Sequence, residues 1–480
     1  MPARRLALAA LLASVAVASA CAPMGPNYAR PTVTPAPAYR GVLTTEQARA
    51  IADLPWVEQY KEPELATLIQ QSIDQNLDLR IAVGRIMEFR ARAAGAKADL
   101  GPTLSGVAGA QPRTKTAEDT SWLSSLYSLG VAFNWEIDFF GRLRRASEAA
   151  RNDLLATEDG ARAVMASLVG DVAQSWFDLR VTDELIIITE RNIKLQEESL
   201  ALTRLRVQGG VAGGLDEQQA VSQLAATRAQ LPFLQQKAQI IENQISVLLG
   251  RPPGPIARPA AVVTAVPPDI PVGLPSQLLE RRADIRQAEK QLMASTSRIG
   301  VAMGNAFPFP RIGLTAFFGA LSGSLSKLFS GDESGVFSWG PTLNYPLVDS
   351  GRGKAGIEIA KAQAEQAALL YRRTILFALR EVADTLVTLQ KIRERIEQQQ
   401  IQVTAAREAL RLSDLRYRGG VANYLEVLDA QRVLFAAETD LARSRQVELN
   451  GSVQLYRALG GGWSDEELTK LIAKPAEAMK

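Results

Sequence analysis

The chain has 480 residues, 47% hydrophobic and 22% charged, with one cysteine and no histidine; this excludes His-dependent triads, His-ligated zinc, imidazole pH switching, intramolecular disulfides and Cys-rich metal sites. Carboxylate-only catalysis survives that filter. Lys plus Arg number 54 against 51 acidic residues, which gives no reason to expect a nucleic-acid partner, and the length points to several domains or one repetitive architecture.

Arg4 and Arg5 precede an apolar run, 6–20, that is too short to span a membrane and has the form of an export signal. Its end, Ala18-Ser19-Ala20-Cys21, resembles a bacterial lipobox, which makes Cys21 the candidate lipidation site; the alternative is an ordinary signal peptide that leaves a free thiol. Removing Arg4 and Arg5 leaves 52 basic against 51 acidic residues, so charge alone does not anchor the mature chain. Acyl chains do, at about 0.8 kcal/mol per buried CH₂. Ala22 stands where an aspartate often retains lipoproteins at the inner membrane, so this resemblance points to the outer membrane. Five prolines between Pro23 and Pro37 predict an extended tether within the N-terminal segment 21–60.

Beyond it the chain repeats itself. Asn134-Trp135 and Gly141-Arg142 recur as Asn344-Tyr345 and Gly351-Arg352, Arg206 with Gly209-Gly210-Val211-Ala212 as Arg416 with Gly419-Gly420-Val421-Ala422, and Leu249-Gly250 as Leu459-Gly460, every pair 210 residues apart. Asp78-Leu79-Arg80 pairs with Asp284-Ile285-Arg286 at an offset of 206. The spacing predicts a first repeat over 61–255, a proline-rich linker over 256–275, a second repeat over 276–463 and a tail over 464–480. No proline occurs in 113–231 or 347–474, and 142–208 and 352–418 are 67-residue runs with only isolated glycines. As helices each is roughly 100 Å long. Shorter helices are predicted over about 64–100 and 215–249, with 424–459 as the counterpart of the latter, and together they match the long helix in length.

Strands are predicted between the helices. Over 128–139, Leu129, Val131, Phe133, Trp135, Ile137 and Phe139 alternate with Ser128, Gly130, Ala132, Asn134, Glu136 and Asp138. Phe337, Trp339, Leu343, Tyr345 and Leu347 alternate likewise with polar residues, and weaker partners at 103–113 and 311–320 complete hairpins over about 103–139 and 311–348, with tips near 114–120 and 331–334. Strands of this length and pattern fit a membrane β-barrel with a wet lumen or a half-buried soluble sheet. Four strands close no barrel, so the membrane reading requires a barrel shared between protomers.

Three motifs resemble the outer membrane factors of the TolC type, and more closely the lipoprotein branch that serves resistance–nodulation–division efflux pumps. Residues 25–31, GPNYARP, resemble the signature that follows the lipidated cysteine; 274–286, LPSQLLERRADIR, resemble LPSxLLxRRPDIR with Ala283 in place of proline; and 415–431, LRYRGGVANYLEVLDAQ, resemble RYxxGxxxYLxVLDAQ. The resemblance implies a mainly α fold with a membrane β-barrel: a homotrimer with four strands per chain in a shared twelve-stranded barrel, continued by a periplasmic α-helical tunnel. It implies a periplasmic adaptor touching the tips at Gly209, Gly210, Val211, Ala212, Gly419, Gly420, Val421 and Ala422, and an inner-membrane transporter as the energy source. It also implies a closed periplasmic end, with Asp216 and Tyr417 as a cross-helix pair and Glu426 and Asp429 as acidic rings. The alternative reading of these positions is plain turns and solvated helical faces.

The function expected on this basis is a passive exit duct for drugs or other small amphiphiles, with no cofactor, no resident metal and no catalysis. Heavy-metal efflux and type I secretion are the alternatives within the fold, and a non-conducting periplasmic scaffold lipoprotein is the alternative of another class. No GxxxxGK[ST] motif is present to bind nucleotide.

Overall fold

The computed structural model describes residues 23–32, 62–111, 126–259, 278–306, 309–329, 334–345 and 347–473. Cys21, the hairpin tips at 114–120 and 331–333, residues 260–275 of the linker and residues 474–480 of the tail lie outside them. The elements are α1 (Pro63–Gln75), α2 (Leu77–Ala98), β1 (Thr103–Gln111), β2 (Leu126–Ile137), α3 (Arg142–Gln208) and α4 (Gly214–Leu248). After an α-turn at Leu278–Arg281 come α5 (Ala283–Asn305), β3 (Arg311–Ser322), β4 (Gly335–Asn344), α6 (Arg352–Arg418), α7 (Tyr424–Ala458) and α8 (Asp465–Ala473). Among the described residues, no helix is long and apolar enough to cross a membrane.

The single helix expected over 64–100 is two helices, because Asn76 is a cap. Its ψ of 130° leaves the helical region, its side chain accepts the Leu79 N–H at 2.9 Å to start α2, and its amide donates to the Leu248 carbonyl at 3.0 Å. Pro232 lies inside α4 without ending it.

Backbone proximity divides the chain into two units, one from residues 1–33, 85–158 and 287–373 and the other from 34–84, 159–286 and 374–480. The first carries an antiparallel sheet in the order β1-β2-β3-β4. Its register sets Val131 opposite Phe318 and Phe318 opposite Phe337, while Phe133 faces Ala316 and Ala316 faces Trp339. Directly opposed residues share a face, so the apolar sets of all strands fall on one side. That side is bare in the single chain, with Leu104 73%, Phe318 69% and Trp339 70% exposed. On the other side lie Ser128, Asn134, Glu136, Thr315, Ser338 and Thr342, with Phe317 over the opposed Gly130 and Gly319. The outer edges of β1 and β4 have no strand partner among the described residues.

In the second unit, α3 buries Ala161, Met165, Leu168, Val172, Trp176 and Leu179 at helical spacing. The arginine-rich 281–286 segment is a rivet. Arg282 reaches Asp284 at 2.8 and 3.0 Å, Glu381 of α6 at 2.8 Å and the Ala458 carbonyl at the end of α7 at 2.9 Å. Desolvation opposes its charge, but these acceptors outweigh it and hold the guanidinium pKa above its ordinary value.

Candidate functional site: helical tips and acidic turn

All the predicted tip and gate residues belong to the second unit. At the ends of α3 and α6, Val211 and Val421 donate to the carbonyls of Arg206 and Arg416 at 2.9 and 3.0 Å. Gly210 and Gly420 take φ of +71° and +75°, the left-handed conformation that closes a helix C-terminus. Gly209 and Gly419 extend the ladders by donating to Leu205 and Leu415. The two tips present the same side chains: Leu205, Val211 and Leu215 on one, Leu415, Val421 and Leu425 on the other, all exposed. Ala212 and Ala422 are half-buried beside them.

Under this matched surface the repeats differ. Tyr417 and Tyr424 occupy positions that are Val207 and Gly214 in the first repeat. Their rings lie 5.8 Å apart and pack with Leu200, Ala220, Leu224, Val427 and Leu428 into one core that joins both hairpins. Thr203 donates to the Ser199 carbonyl at 3.0 Å, so the Tyr417 hydroxyl, 3.2 Å away, donates to Thr203 Oγ1. Burial pushes the Tyr424 hydroxyl pKa up, the Ser199 hydrogen bond opposes this, and the nearby charge of Asp216 adds to the rise. Arg206 lies 4.3 Å from the Tyr417 ring centroid and donates to the Arg418 carbonyl at 3.4 Å.

The expected pairing of Asp216 with Tyr417 is not a hydrogen bond within one chain. Tyr417 is 2% exposed and directed to Thr203, whereas Asp216 is half-buried and its charge bears on the Tyr424 hydroxyl. The physical reason is Thr203, which offers a buried acceptor that the motif itself does not contain. Glu426 and Asp429 are exposed on the first turns of α7. Glu426 pairs with Arg416 at 3.3 Å, and its backbone N–H is capped by Asn423 at 3.2 Å. The repeat counterpart of that ion pair would be Arg206 with Asp216, but Arg206 is turned to Tyr417, and Asp216 has no ion pair among the described residues. Arg432, one turn beyond Asp429, donates to Gln223 of α4 at 2.7 Å. Sequence reading missed Thr203 and Arg432 as participants; Arg206 was visible as a repeat landmark, without a role. No group of three or more Cys, Asp or Glu among the described residues is arranged to hold a metal ion.

A sheet with one bare apolar face and two open edges, joined in sequence to long helical hairpins, fits the class of outer membrane channels. The family model described as outer membrane efflux protein matches residues 68–251 and 274–461. The chain is 35% identical over 437 residues to the probable efflux pump outer membrane protein TtgC of Pseudomonas putida, covering 90% of this chain and 89% of that one. It is 33% identical over 456 residues to the cation efflux system protein CusC of Escherichia coli, with 94% and 97% covered. The solved structure of the outer-membrane channel OprN superposes with a TM-score of 0.85 at 32% identity, over 92% of this chain and all of that one. The chain belongs to the outer membrane efflux protein family, and it is an outer membrane channel component of a tripartite efflux system.

Proposed function

We infer that three copies share one barrel and form a passive exit duct for drugs, solvents or other small amphiphiles. The observation that carries this reading is the sheet: four strands whose apolar face leaves Leu104, Val131, Phe318, Phe337 and Trp339 exposed, with both edges open among the described residues. Unpaired edge groups in lipid cost several kcal/mol each, so joining β4 of one copy to β1 of the next is the arrangement that removes the cost. Relatives named as efflux pump, toluene efflux and antibiotic efflux proteins support an amphiphilic cargo. CusC, named for cation efflux, supports the alternative.

The remaining assignments belong to the same reading. Cys21 is acylated and adds a lipid anchor. The two tips, alike in their exposed leucines and valines, each take one adaptor contact, giving six similar contacts per trimer, and an inner-membrane resistance–nodulation–division transporter supplies the energy. Asp216, Glu426 and Asp429 constrict the periplasmic end, with Tyr417 acting from inside the tip core. Clustered carboxylates favour cation passage, and no catalytic step is assigned.

The test is complementation. Expressed with its adaptor and transporter in a strain lacking its own outer membrane channels, the protein should lower accumulation of a lipophilic dye, and the same cells without the transporter should not. Dye accumulation unchanged while copper or silver tolerance rises would replace the amphiphile cargo with a cation.

A further inference from the structure

The proline-rich segment after the predicted lipidation site reads in sequence as an extended tether. Its residues 23–32 belong to the first unit and are held at both ends. At the N-terminal end, the Met24 N–H donates to the Phe140 carbonyl at 3.0 Å. Buried Arg145 donates to the carbonyls of Met24 at 3.0 Å and Gly25 at 3.4 Å and to the Asn27 side chain at 2.7 Å. At the other end, Arg30 makes a two-pronged contact to Glu289, 2.7 Å to each oxygen, and the Tyr28 hydroxyl donates to the same carboxylate at 2.9 Å. Glu289 is only 8% exposed. Burial raises its pKa, but the hydrogen bonds from Arg30 and Tyr28 outweigh this and hold it below the ordinary carboxylate value.

The body is shaped to receive the segment. A Cβ at Gly141 would lie 2.4 Å from Pro23 Cα, and one at Gly300 would lie 2.4 Å from the Met24 carbonyl oxygen, so both must be glycine for the backbone to lie flush. Among the described residues the groove has no counterpart in the other repeat. The repeat counterpart of Gly141 is Gly351, where a Cβ would meet nothing within 4 Å, and the counterparts of Arg145 and Glu289 are Ala355 and Val83. The motif GPNYARP and Glu289, three residues beyond the 274–286 motif in sequence, are thus one site.

The place where the segment begins is also distinctive. Phe140, whose carbonyl holds Met24, packs on Phe309 with ring centroids 5.0 Å apart. Trp135 donates its indole N–H to the Leu100 carbonyl at 3.0 Å while 36% exposed, and its repeat counterpart Tyr345 is 38% exposed. Amphipathic aromatics at the helix-side ends of the strands mark a membrane–water boundary. Cys21 stands two residues before Pro23 in the sequence.

We propose that residues 23–32 are a rigid strut, clamped by Arg145 and Glu289, that seats the acylated N-terminus at the aromatic boundary beside Gly141, with the periplasmic leaflet as the partner of that surface. The proposal rests on acylation of Cys21. In this role Arg30 and Glu289 are positioning residues: they set where the lipid enters, and the barrel alone does not.

Two measurements on the full-length protein test it. Spin labels at the exposed positions Ala29 and Gln291 should report one narrow distance in the parent and in Cys21→Ser. The distribution should broaden in Arg30→Glu and narrow again in Arg30→Glu combined with Glu289→Arg. Tyr28→Phe, which leaves the ion pair intact, should broaden it less and guards against misfolding of the charge variant. A photoactivatable fatty acid incorporated at Cys21 should crosslink to peptides containing Trp135, Phe140 or Phe309, and these adducts should be lost in Arg30→Glu. A narrow distance in Arg30→Glu, or no rescue by the swap, overturns the clamp. Adducts unchanged by Arg30→Glu overturn the seating role. A narrow distance in a parent that takes up no fatty acid refutes acylation of Cys21 and with it the lipid role, leaving the clamp itself intact.

Discussion

Tyr417 gives the sharpest test of how the tip is held together. The ring is 2% exposed, packs on Tyr424, carries Arg206 on its face and donates to Thr203. Tyr417→Phe keeps the ring and removes one buried hydrogen bond; Thr203 keeps its own donation to Ser199, so the loss is about 0.5–1.5 kcal/mol. Tyr417→Ala empties a core that joins two hairpins, at about 3–5 kcal/mol, and removes the cation–π contact, worth about 0.5–1 kcal/mol at an exposed site. The two variants therefore separate by at least a hundredfold in local opening, since each 1.4 kcal/mol is about tenfold. Hydrogen exchange over 196–230 and 410–430 reads that opening directly. Exchange in the sheet should be unchanged, because the damage is confined to the tips, and Tyr417→Ala should also show longer open times in single-channel records. Equal protection in Phe and Ala variants, or an Ala variant as protected as the parent, would show that the Tyr417 ring does not hold the two hairpins together.

Other outcomes follow from the same geometry. Glu426→Ala should lower cation preference more than Asp429→Ala, because it removes one acid and also uncovers Arg416; reversal-potential shifts in a salt gradient measure this. Stability should barely move, since the Arg416–Glu426 pair is half-exposed and worth about 0–1 kcal/mol. Arg282→Met should lower chemical stability of the helical unit by about 1.5–3 kcal/mol, the value of hydrogen bonds to charged groups, measured by urea unfolding followed at Trp176. Cys21→Ser should abolish acyl labelling while trimers still assemble on native gels. Acidification should release the strut: Glu289 has a depressed pKa in the folded chain, so its contribution is present above the ordinary carboxylate pKa and is lost as pH falls through the folded value. The distance between labels at Ala29 and Gln291 should broaden only below the usual carboxylate range and should be insensitive to pH near neutrality.

Much of the fold could be read from the chain because the signals are local and redundant. Proline-free runs of 67 residues leave few choices other than helix, and Ser128 to Ile137 alternates with a period of two that survives into the sheet. The 210-residue offset doubles each of these signals. The β2–β3 pairing was less accessible, since Trp135 meets Leu314 across a long stretch of sequence with no turn to set the register. Asn76 shows how one polar residue divides a helix that periodicity alone extends. The strut escaped because proline content describes stiffness and says nothing about Arg30 finding Glu289 259 residues away. At the tip, the family resemblance supplied Asp216 and Tyr417, but the hydroxyl that holds Tyr417 belongs to Thr203, a residue no motif marks. Repeat symmetry predicts equal surfaces; the unequal interiors become visible only when Val207 and Gly214 are set beside Tyr417 and Tyr424 in three dimensions.

In the proposed assembly, open-edged sheets from separate chains close into a conducting barrel. Single-channel recording of the purified, assembled protein in planar bilayers tests it most directly. Mostly closed channels that prefer cations are expected, with conductance rising when Asp216, Glu426 and Asp429 are neutralised together. A stable assembly that never conducts, even with those three acids removed, would contradict it.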